Sequence, residues 1–387
     1  MALSESPVAA AQRLAPRAAE LAPLGERDRR LPRELVGELA AGGLFRLCVP
    51  AAVGGLESPP TVLIESVEAV ARGDGAAGWC VAIAATSGLL LGYLPANAAA
   101  EVFATPETIL GGVFAPRGRA VPVEGGFRVS GRWPFASGCQ HCDWLMGGSV
   151  VEVAPGEVRM LDGGAPDVRL MLAPAADVEI HDTWHVAGLR GTGSHDISFG
   201  DLLIAAEHSA SVFTDPPVQP GPLYLFPLFG LLAMAIAAVS LGVARGALDE
   251  FVVVAAEKTP TGSRRRLAER NTTQAEVARA EASLRAARGL VLQSAENAFA
   301  AAREQGEVPV AERMAIRLAA TNAASTAAEV VTAAYRLDGG SALYDSSPLQ
   351  RRFRDAHAAT QHMLVAPATW ELTGRLLLGL DTDVAQL

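Results

Sequence analysis

Two long stretches of this chain, Gly75–Ala100 and Pro216–Ala244, contain no charged residue. Each is long enough to cross a bilayer, for which about 20 apolar residues suffice. Both also carry proline and many small residues, and neither has the polybasic flank that orients a membrane helix. A helix that is apolar on every side is equally what the centre of a large helical bundle requires. We expect buried core helices, with membrane insertion as the alternative.

The charge balance and the cysteine count limit the class of protein further. The 387 residues include 32 Lys and Arg against 42 Asp and Glu, a net charge of −10. This balance argues against nucleic-acid binding, which needs a basic surface. Four scattered cysteines do not make a disulfide scaffold, and no secretory signal is visible at the start. We therefore expect a cytoplasmic protein.

The residue pattern divides the chain into helical residues 1–110, a β domain over 111–216 and a second helical part over 217–387. In the middle part, Gly125-Gly126 separates two alternating runs, which predicts a hairpin. Further β-like runs cover Trp144–Val151, Val168–Leu172 and Ile197–Leu203.

The third part carries signals of a helical bundle. Thr273 and Glu276 have the spacing of a capping box. Behind them an apolar or small residue recurs every seven positions, at Val277, Leu284, Val291 and Ala298. A seam built from such residues lets helices approach closely.

An aromatic cluster over Gly131–Trp144 combines two Trp, a Phe, a Ser and a His, although only 5% of the chain is aromatic. An aromatic wall beside a hydroxyl and flexible glycines suits a flat heteroaromatic ligand such as a flavin. The alternative is a strand whose aromatic side chains pack in a core, which is their commoner role.

Two further motifs lack the context that their usual chemistry needs. Cys139 and Cys142 have no second pair of ligands, so we expect buried thiols and no metal site. The run Gly188–Ser194 lacks the third glycine of a dinucleotide fingerprint and the lysine of a phosphate loop. A nicotinamide-binding domain is therefore not expected. The alternative to a phosphate-binding loop is that this run forms a glycine-rich β-turn.

Charged and titratable residues concentrate over Arg351–His362. Asp355 and His362 are seven positions apart, which would place them on one face of a helix. A solvated salt-bridge face and a reactive pair are both compatible with this spacing.

Taken together, these segments resemble the acyl-CoA dehydrogenase fold, and within it the two-component flavin-dependent monooxygenases (group D, oxygenase component). The resemblance rests on the order and spacing of Leu44–Pro50, Arg72–Trp79, Gly131–Trp144, Trp184–Asp196, Leu337–Gly340 and Arg354-Asp355. It implies an α+β fold with an N-terminal helical domain, a central β domain and a C-terminal four-helix bundle, usually assembled as a homotetramer.

The resemblance also implies which residues meet the ring of the cofactor. Ser137 corresponds to the hydroxyl beside flavin N5, and Trp133, Phe135 and Ala136 correspond to residues that line the flavin ring.

A second group of residues corresponds to contacts with the far end of the cofactor. Arg336, Gly339 and Gly340 match a motif that meets the phosphate or adenosine end across a subunit boundary. Lys258 stands where dehydrogenases carry an arginine, and it keeps the charge without the planar fork.

The position of the catalytic base separates the two branches of the family. Dehydrogenases carry a carboxylate eight residues after the Arg-Asp pair, where this chain has Met363, and the alternative site in 216–244 has no Glu. The adjacent His362 matches a histidine that faces the flavin in the monooxygenases. Some relatives have a second histidine near Thr86-Ser87, which this chain lacks. Either a hydroxyl or His141 takes its place, or the substrate differs from simple phenols.

The expected function is therefore that of an oxygenase component. Reduced FMN or FAD would arrive from a separate NAD(P)H:flavin reductase, O2 would add as a C4a-peroxyflavin, and an aromatic or polyketide-like small molecule would be hydroxylated, with Ser137 and His362 as catalytic residues. The alternatives are a dehydrogenase or oxidase with an unusual base, and a relative that binds flavin or a metabolite without turnover.

Overall fold

The computed structural model describes residues 5–154 and 156–387. In these residues, five helices precede a β domain and five helices follow it. The N-terminal helices are α1 Pro7–Asp28, α2 Arg33–Ala41, α3 Pro60–Gly73, α4 Gly75–Ser87 and α5 Ala96–Val102. The strands are β1 Leu110–Val123, β2 Gly126–Ala136, β3 Trp144–Ala154, β4 Glu157–Val158, β5 Val168–Pro174, β6 Glu179–His181, β7 His195–Ala205 and β8 Ser209–Ala210. The C-terminal helices are α6 Leu228–Glu257, α7 Asn271–Gln305, α8 Val310–Asp338, α9 Pro348–Ala359 and α10 Ala368–Leu377.

The strands form one mixed sheet in the order β6-β7-β2-β1-β3-β5-β8, with β4 paired to β3. β1 and β2 make the predicted hairpin, and Val123 pairs with Gly126 around Gly125, whose φ of 81° favours glycine. The three other predicted strand runs lie within β3, β5 and β7. β1 and β3 run parallel, whereas the other pairs are antiparallel.

Helices that begin in the two uncharged stretches form the centre of the molecule. Gly75–Gly92 and Leu228–Glu257 are long and apolar enough to cross a membrane, but 94% and 78% of their most apolar segments are buried inside the fold. α4 and α6 pack against each other and against α3 in one core. These are core helices, and protein covers most of their apolar residues.

The bundle is built from α6 to α9, and the predicted seam lies inside it. Leu284, Val291 and Ala298 of α7 are fully buried in the core that α7 shares with α6 and α8. The prediction of a capping box at Thr273 and Glu276 was wrong, because α7 begins at Asn271, before Thr273. A backbone N–H of Arg266 instead donates to Glu269, in the turn that precedes the helix (2.8 Å).

The helix that carries Asp355 ends before His362. α9 ends at Ala359, and the Thr360 hydroxyl donates to the His357 carbonyl, one of the carbonyls left unpaired at the end of the helix. Asp355 and His362 therefore do not share a helical face, and His362 lies in the turns that lead to α10.

Candidate active site

Ser137 follows the last residue of β2 and lies at the start of a buried chain of hydroxyl groups. The Trp79 indole N–H donates to Ser137 Oγ (3.0 Å), which is 2.8 Å from Ser194 Oγ. Ser194 Oγ is in turn 2.7 Å from Thr192 Oγ1, and the Thr192 hydroxyl donates to the Leu189 carbonyl (2.8 Å). All three hydroxyl residues are buried.

His362 reaches the same indole from the C-terminal part of the chain. Its ring meets Trp79 edge-on, with the ring centroids 5.8 Å apart. The two predicted catalytic residues, Ser137 and His362, therefore contact one side chain of α4. We call the set Trp79, Ser137, Thr192, Ser194 and His362 the Ser137 corner.

The imidazole of His362 is neutral at neutral pH. Burial, together with the positive charge of Arg317, lowers its pKa to about 4. Its Nδ1 accepts a hydrogen bond from the Leu364 backbone N–H (3.3 Å), so the ring hydrogen of the neutral form resides on Nε2. His362 is therefore arranged to donate a hydrogen bond from Nε2.

Of the three residues expected to line a flavin ring, only Phe135 presents its side chain at the surface, where it is 67% exposed. Trp133 is wholly buried, donates to the Gly148 carbonyl (2.7 Å) and packs against Phe199, and Ala136 lies in the same β-domain core. The expectation that Trp133 and Ala136 line the ring with their side chains is corrected, since these side chains fill the core.

The local backbone explains why Trp133 and Phe135 face opposite sides. Residues two apart on a regular strand share a face. Here the pairing with β7 shifts register between Trp133 and Ala136, and Phe135 has a left-handed φ of 67°. This conformation costs a non-glycine residue about 1–3 kcal/mol and is typical of functional sites.

The loop that holds the hydroxyl chain is anchored to α9 by a buried carboxylate. The Leu189 N–H donates to Asp355 Oδ1 (2.5 Å), and Asp74 lies nearby as the N-cap of α4. Burial, reinforced by the charge of Asp74, raises the pKa of Asp355 to about 7. Gly188 lies so close to α9 that an added Cβ would be 2.2 Å from the Arg354 carbonyl.

The residues predicted for the far end of the cofactor lie at one end of the bundle. The Lys258 ammonium donates to Asp338 Oδ1 (2.7 Å), to the Asp338 carbonyl and to Ser341 Oγ. Gly339 and Gly340 follow, and nothing lies within 4 Å of a Cβ built on either. We call Lys258, Arg336, Asp338, Gly339 and Gly340 the bundle end.

Arg336 also lines a groove between α8, the end of α9 and α10. The groove has a volume of about 520 Å³, and His357, Gln361 and Trp370 are among its other walls.

Cys139 and Cys142 contain neutral thiols. Their Sγ atoms contact the carbonyls of Gly193 (3.5 Å) and Gly138 (3.3 Å), and burial raises the pKa of Cys139 to about 12. Among the described residues, one group of possible metal ligands lies together, formed by Glu101, Glu207 and His208.

His141 is half-buried beside Gly138, and the centroid of its ring is 6.0 Å from that of Phe45. Burial lowers its pKa to about 4. It is therefore a second neutral histidine beside the segment that carries Ser137.

Comparison with known proteins identifies the family. The family models for the acyl-CoA dehydrogenase N-terminal and C-terminal domains match residues 8–101 and 234–367. An indole-3-acetate monooxygenase of Pseudomonas putida is 36% identical over 92% of this chain and 90% of its own length. This chain belongs to the acyl-CoA dehydrogenase family. Its place is among the flavin-dependent monooxygenases of that family.

Further relatives agree with this assignment. The oxygenase component of an FADH2-dependent resorcinol hydroxylase of a Rhizobium species is 30% identical over 92% of this chain and 90% of its own. The crystal structure of the HsaA monooxygenase of Mycobacterium tuberculosis has a TM-score of 0.89 at 27% identity and covers 99% of both chains. The α+β fold and the monooxygenase assignment are both confirmed, and the enzyme uses a flavin and O2.

The Ser137 corner fits a flavin. Phe135 offers an exposed aromatic face in a strained backbone conformation. Ser137 lies two residues further along the chain, and its hydroxyl is hydrogen-bonded to that of Ser194. His362, which contacts the same indole, supplies a neutral hydrogen-bond donor. Trp79, Ser194 and Thr192 were missed as members of the site. The signal for Trp79 was its place at the end of the Arg72–Trp79 motif.

Proposed function

We propose that this chain is the oxygenase component of a two-component system. It would receive reduced FMN or FAD from a separate NAD(P)H:flavin reductase and hydroxylate a small aromatic or polyketide-like molecule. The observation that carries the proposal is that Ser137 and His362 both contact the side chain of Trp79.

Each residue of the site has a distinct part in this proposal. Ser137 holds the N5 edge of the ring, and Phe135 packs against its face. His362, neutral and with its hydrogen on Nε2, donates a hydrogen bond to a reacting oxygen and so stabilises the negative charge that develops there. The bound reduced flavin supplies the activation of O2. The low pKa of His362 keeps this donor in one protonation state across the neutral range.

The substrate class follows from the relatives and from the site. The named substrates of two of the relatives are indole-3-acetate and resorcinol, both aromatic. We propose an aromatic ring bearing a polar substituent, oriented by His362.

We further propose a homotetramer in the cytoplasm. Leu343 and Tyr344, which follow the bundle end along the chain, are exposed apolar side chains, and a second copy covering them would remove their apolar surface from water. A second copy there would also complete the far end of the cofactor site.

The experiment supplies reduced FMN or FAD through a flavin reductase and NADH, with indole-3-acetate and resorcinol as probe substrates. We expect a product that has gained one oxygen atom. His362→Ala should lower the rate about 100-fold, the usual cost of losing one hydrogen-bond donor to developing charge. His185→Ala, at an exposed histidine of the β domain, is the control.

Two results would contradict the proposal. One is unchanged product formation by His362→Ala. The other is reduction of bound flavin by an acyl-thioester without oxygen, which would mark the chain as a dehydrogenase.

A further inference from the structure

The positions of the hydrogens in the hydroxyl chain formed by Ser137, Ser194 and Thr192 follow from the distances between its oxygen atoms. Two oxygen atoms that lie 2.7–2.8 Å apart need a hydrogen between them, since their lone pairs would otherwise repel. The Leu189 carbonyl oxygen carries no hydrogen, so the hydrogen between it and Thr192 Oγ1 (2.8 Å) comes from the Thr192 hydroxyl. Each hydroxyl carries a single hydrogen, and that of Thr192 is now used.

The remaining two hydrogens follow in turn. The 2.7 Å contact between Thr192 and Ser194 takes the hydrogen of Ser194. The 2.8 Å contact between Ser194 and Ser137 then takes the hydrogen of Ser137. Ser137 Oγ also accepts from the Trp79 N–H (3.0 Å). It is left with one free lone pair and no hydrogen to donate.

A ligand atom that faces Ser137 must therefore be a donor. Reduced flavin carries a hydrogen on N5, whereas oxidised flavin has a lone pair there. We propose that Thr192 and Ser194 determine which redox form of the flavin the site prefers. Because they take up the hydrogen of Ser137, its Oγ can only accept a hydrogen bond from a ligand. It therefore binds N5–H of reduced flavin and disfavours oxidised flavin. The inference rests on the proposed placement of N5 at Ser137. Thr192 and Ser194 act through Ser137 and are positioning residues.

The test measures the dissociation constants of oxidised FMN and of anaerobically reduced FMN, and of FAD in parallel. Wild type should bind the reduced form more tightly. Ser194→Ala removes the group that takes the hydrogen of Ser137. Thr192→Val lets Ser194 turn its hydrogen to Ser137. Either change frees Ser137 to donate, so oxidised flavin should bind about tenfold more tightly than to wild type, the size of one matched hydrogen bond.

Two variants serve as controls. Trp79→Phe removes a donor to Ser137 but leaves the hydrogen of Ser137 directed to Ser194, so the preference should persist. Thr321→Val removes another buried hydroxyl, which donates to the Arg317 carbonyl within α8, and should also leave the preference unchanged. A merely destabilised protein would lose affinity for both redox forms, whereas the inference predicts a gain for one.

The outcomes separate the two proposals. If Ser194→Ala and Thr192→Val both keep the wild-type ratio of affinities, or if Trp79→Phe abolishes it as they do, the inference is wrong. If wild type hydroxylates its substrate but binds both redox forms equally, the inference alone fails. If wild type binds neither form of FMN or FAD, the proposed function fails with it.

Discussion

The Ser137 corner and the bundle end were both predicted to bind the cofactor, and the structure builds them in opposite ways. The hydroxyl groups of the corner are buried and are paired with one another and with the Trp79 indole, and residues from all three parts of the chain meet there. The bundle end is exposed at its glycines, and its one ammonium group is paired with Asp338 of the same chain.

For the proposed cofactor site, the difference indicates which contacts a single copy of the chain can supply. At the corner, the hydroxyl chain and Trp79 hold Ser137 before any ligand binds, which is the preorganisation that catalysis requires. At the bundle end, Lys258 is held by Asp338 and Ser341, so its first role is to fix the turn after α8. Contact with a cofactor there would depend on a second copy of the chain.

The largest expected effect is a loss of stability when a glycine that is packed against another backbone is replaced by alanine. Gly188→Ala places a Cβ 2.2 Å from the Arg354 carbonyl, and neither backbone can move freely. We expect a loss of about 3 kcal/mol or more in the free energy of unfolding. Gly340→Ala, with nothing within 4 Å, is the matched control at the bundle end and should cost far less. Urea unfolding measures both, and equal losses would break the comparison.

The next prediction concerns the carboxylate that anchors the hydroxyl chain. The pKa of Asp355 is about 7 in the folded chain, above its ordinary value of 3.8. The folded state therefore holds this proton longer than the unfolded state, and stability falls as pH rises from about 4 to about 7. Asp355→Asn should remove a pH-dependent difference on the order of 2 kcal/mol between pH 5 and pH 8.

The Asp355→Asn substitution retains the anchor itself, because the new amide oxygen can still accept from the Leu189 N–H. Asp345→Asn, at an exposed residue near the bundle end, is the control. Thermal unfolding across this pH range checks the prediction. A pH dependence identical to that of wild type in Asp355→Asn would show that this carboxyl does not titrate as inferred.

At the bundle end, Lys258→Met should leave the buried Asp338 carboxylate without its partner. Because Lys258 is partly exposed and water can replace some of the interaction, we expect a loss of about 1–2 kcal/mol rather than the full cost of a broken buried pair. A second substitution, Asp338→Asn, in the Lys258→Met variant should restore much of the lost stability. Flavin affinity measured on the same variants decides whether Lys258 also meets the cofactor: a role limited to the turn leaves that affinity unchanged.

The smallest effect on stability is expected at Phe135. Phe135→Gly relieves the left-handed conformation but adds freedom to the unfolded chain, so the free energy of unfolding should change by less than about 1 kcal/mol. Flavin affinity should fall, because the exposed aromatic face is lost. Asp201→Gly, at another residue with positive φ, should leave flavin affinity unchanged. Equal affinities in the two variants would remove Phe135 from the site.

Local sequence patterns predicted much of the fold. The hairpin at Gly125, the seam of α7 and the burial of α4 and α6 depend on residue spacing and on the absence of charge, which act within one element. The patterns failed where an element ends. Asp355 and His362 have helical spacing, yet α9 stops at Ala359 and the Thr360 hydroxyl caps it.

By itself, the sequence determined the α-β-α order and the inner helices, and the family resemblance predicted Ser137 and His362 as the catalytic residues. Only the tertiary structure decided that Phe135 faces outward while Trp133 is core, because a register shift and one left-handed residue reverse the face of a strand. From the tertiary structure we also infer that Ser137 gives its hydrogen to Ser194 and can therefore only accept a hydrogen bond from a ligand. The direction of a hydroxyl depends on every oxygen around it, and here those oxygens come from a loop more than fifty positions further along the chain.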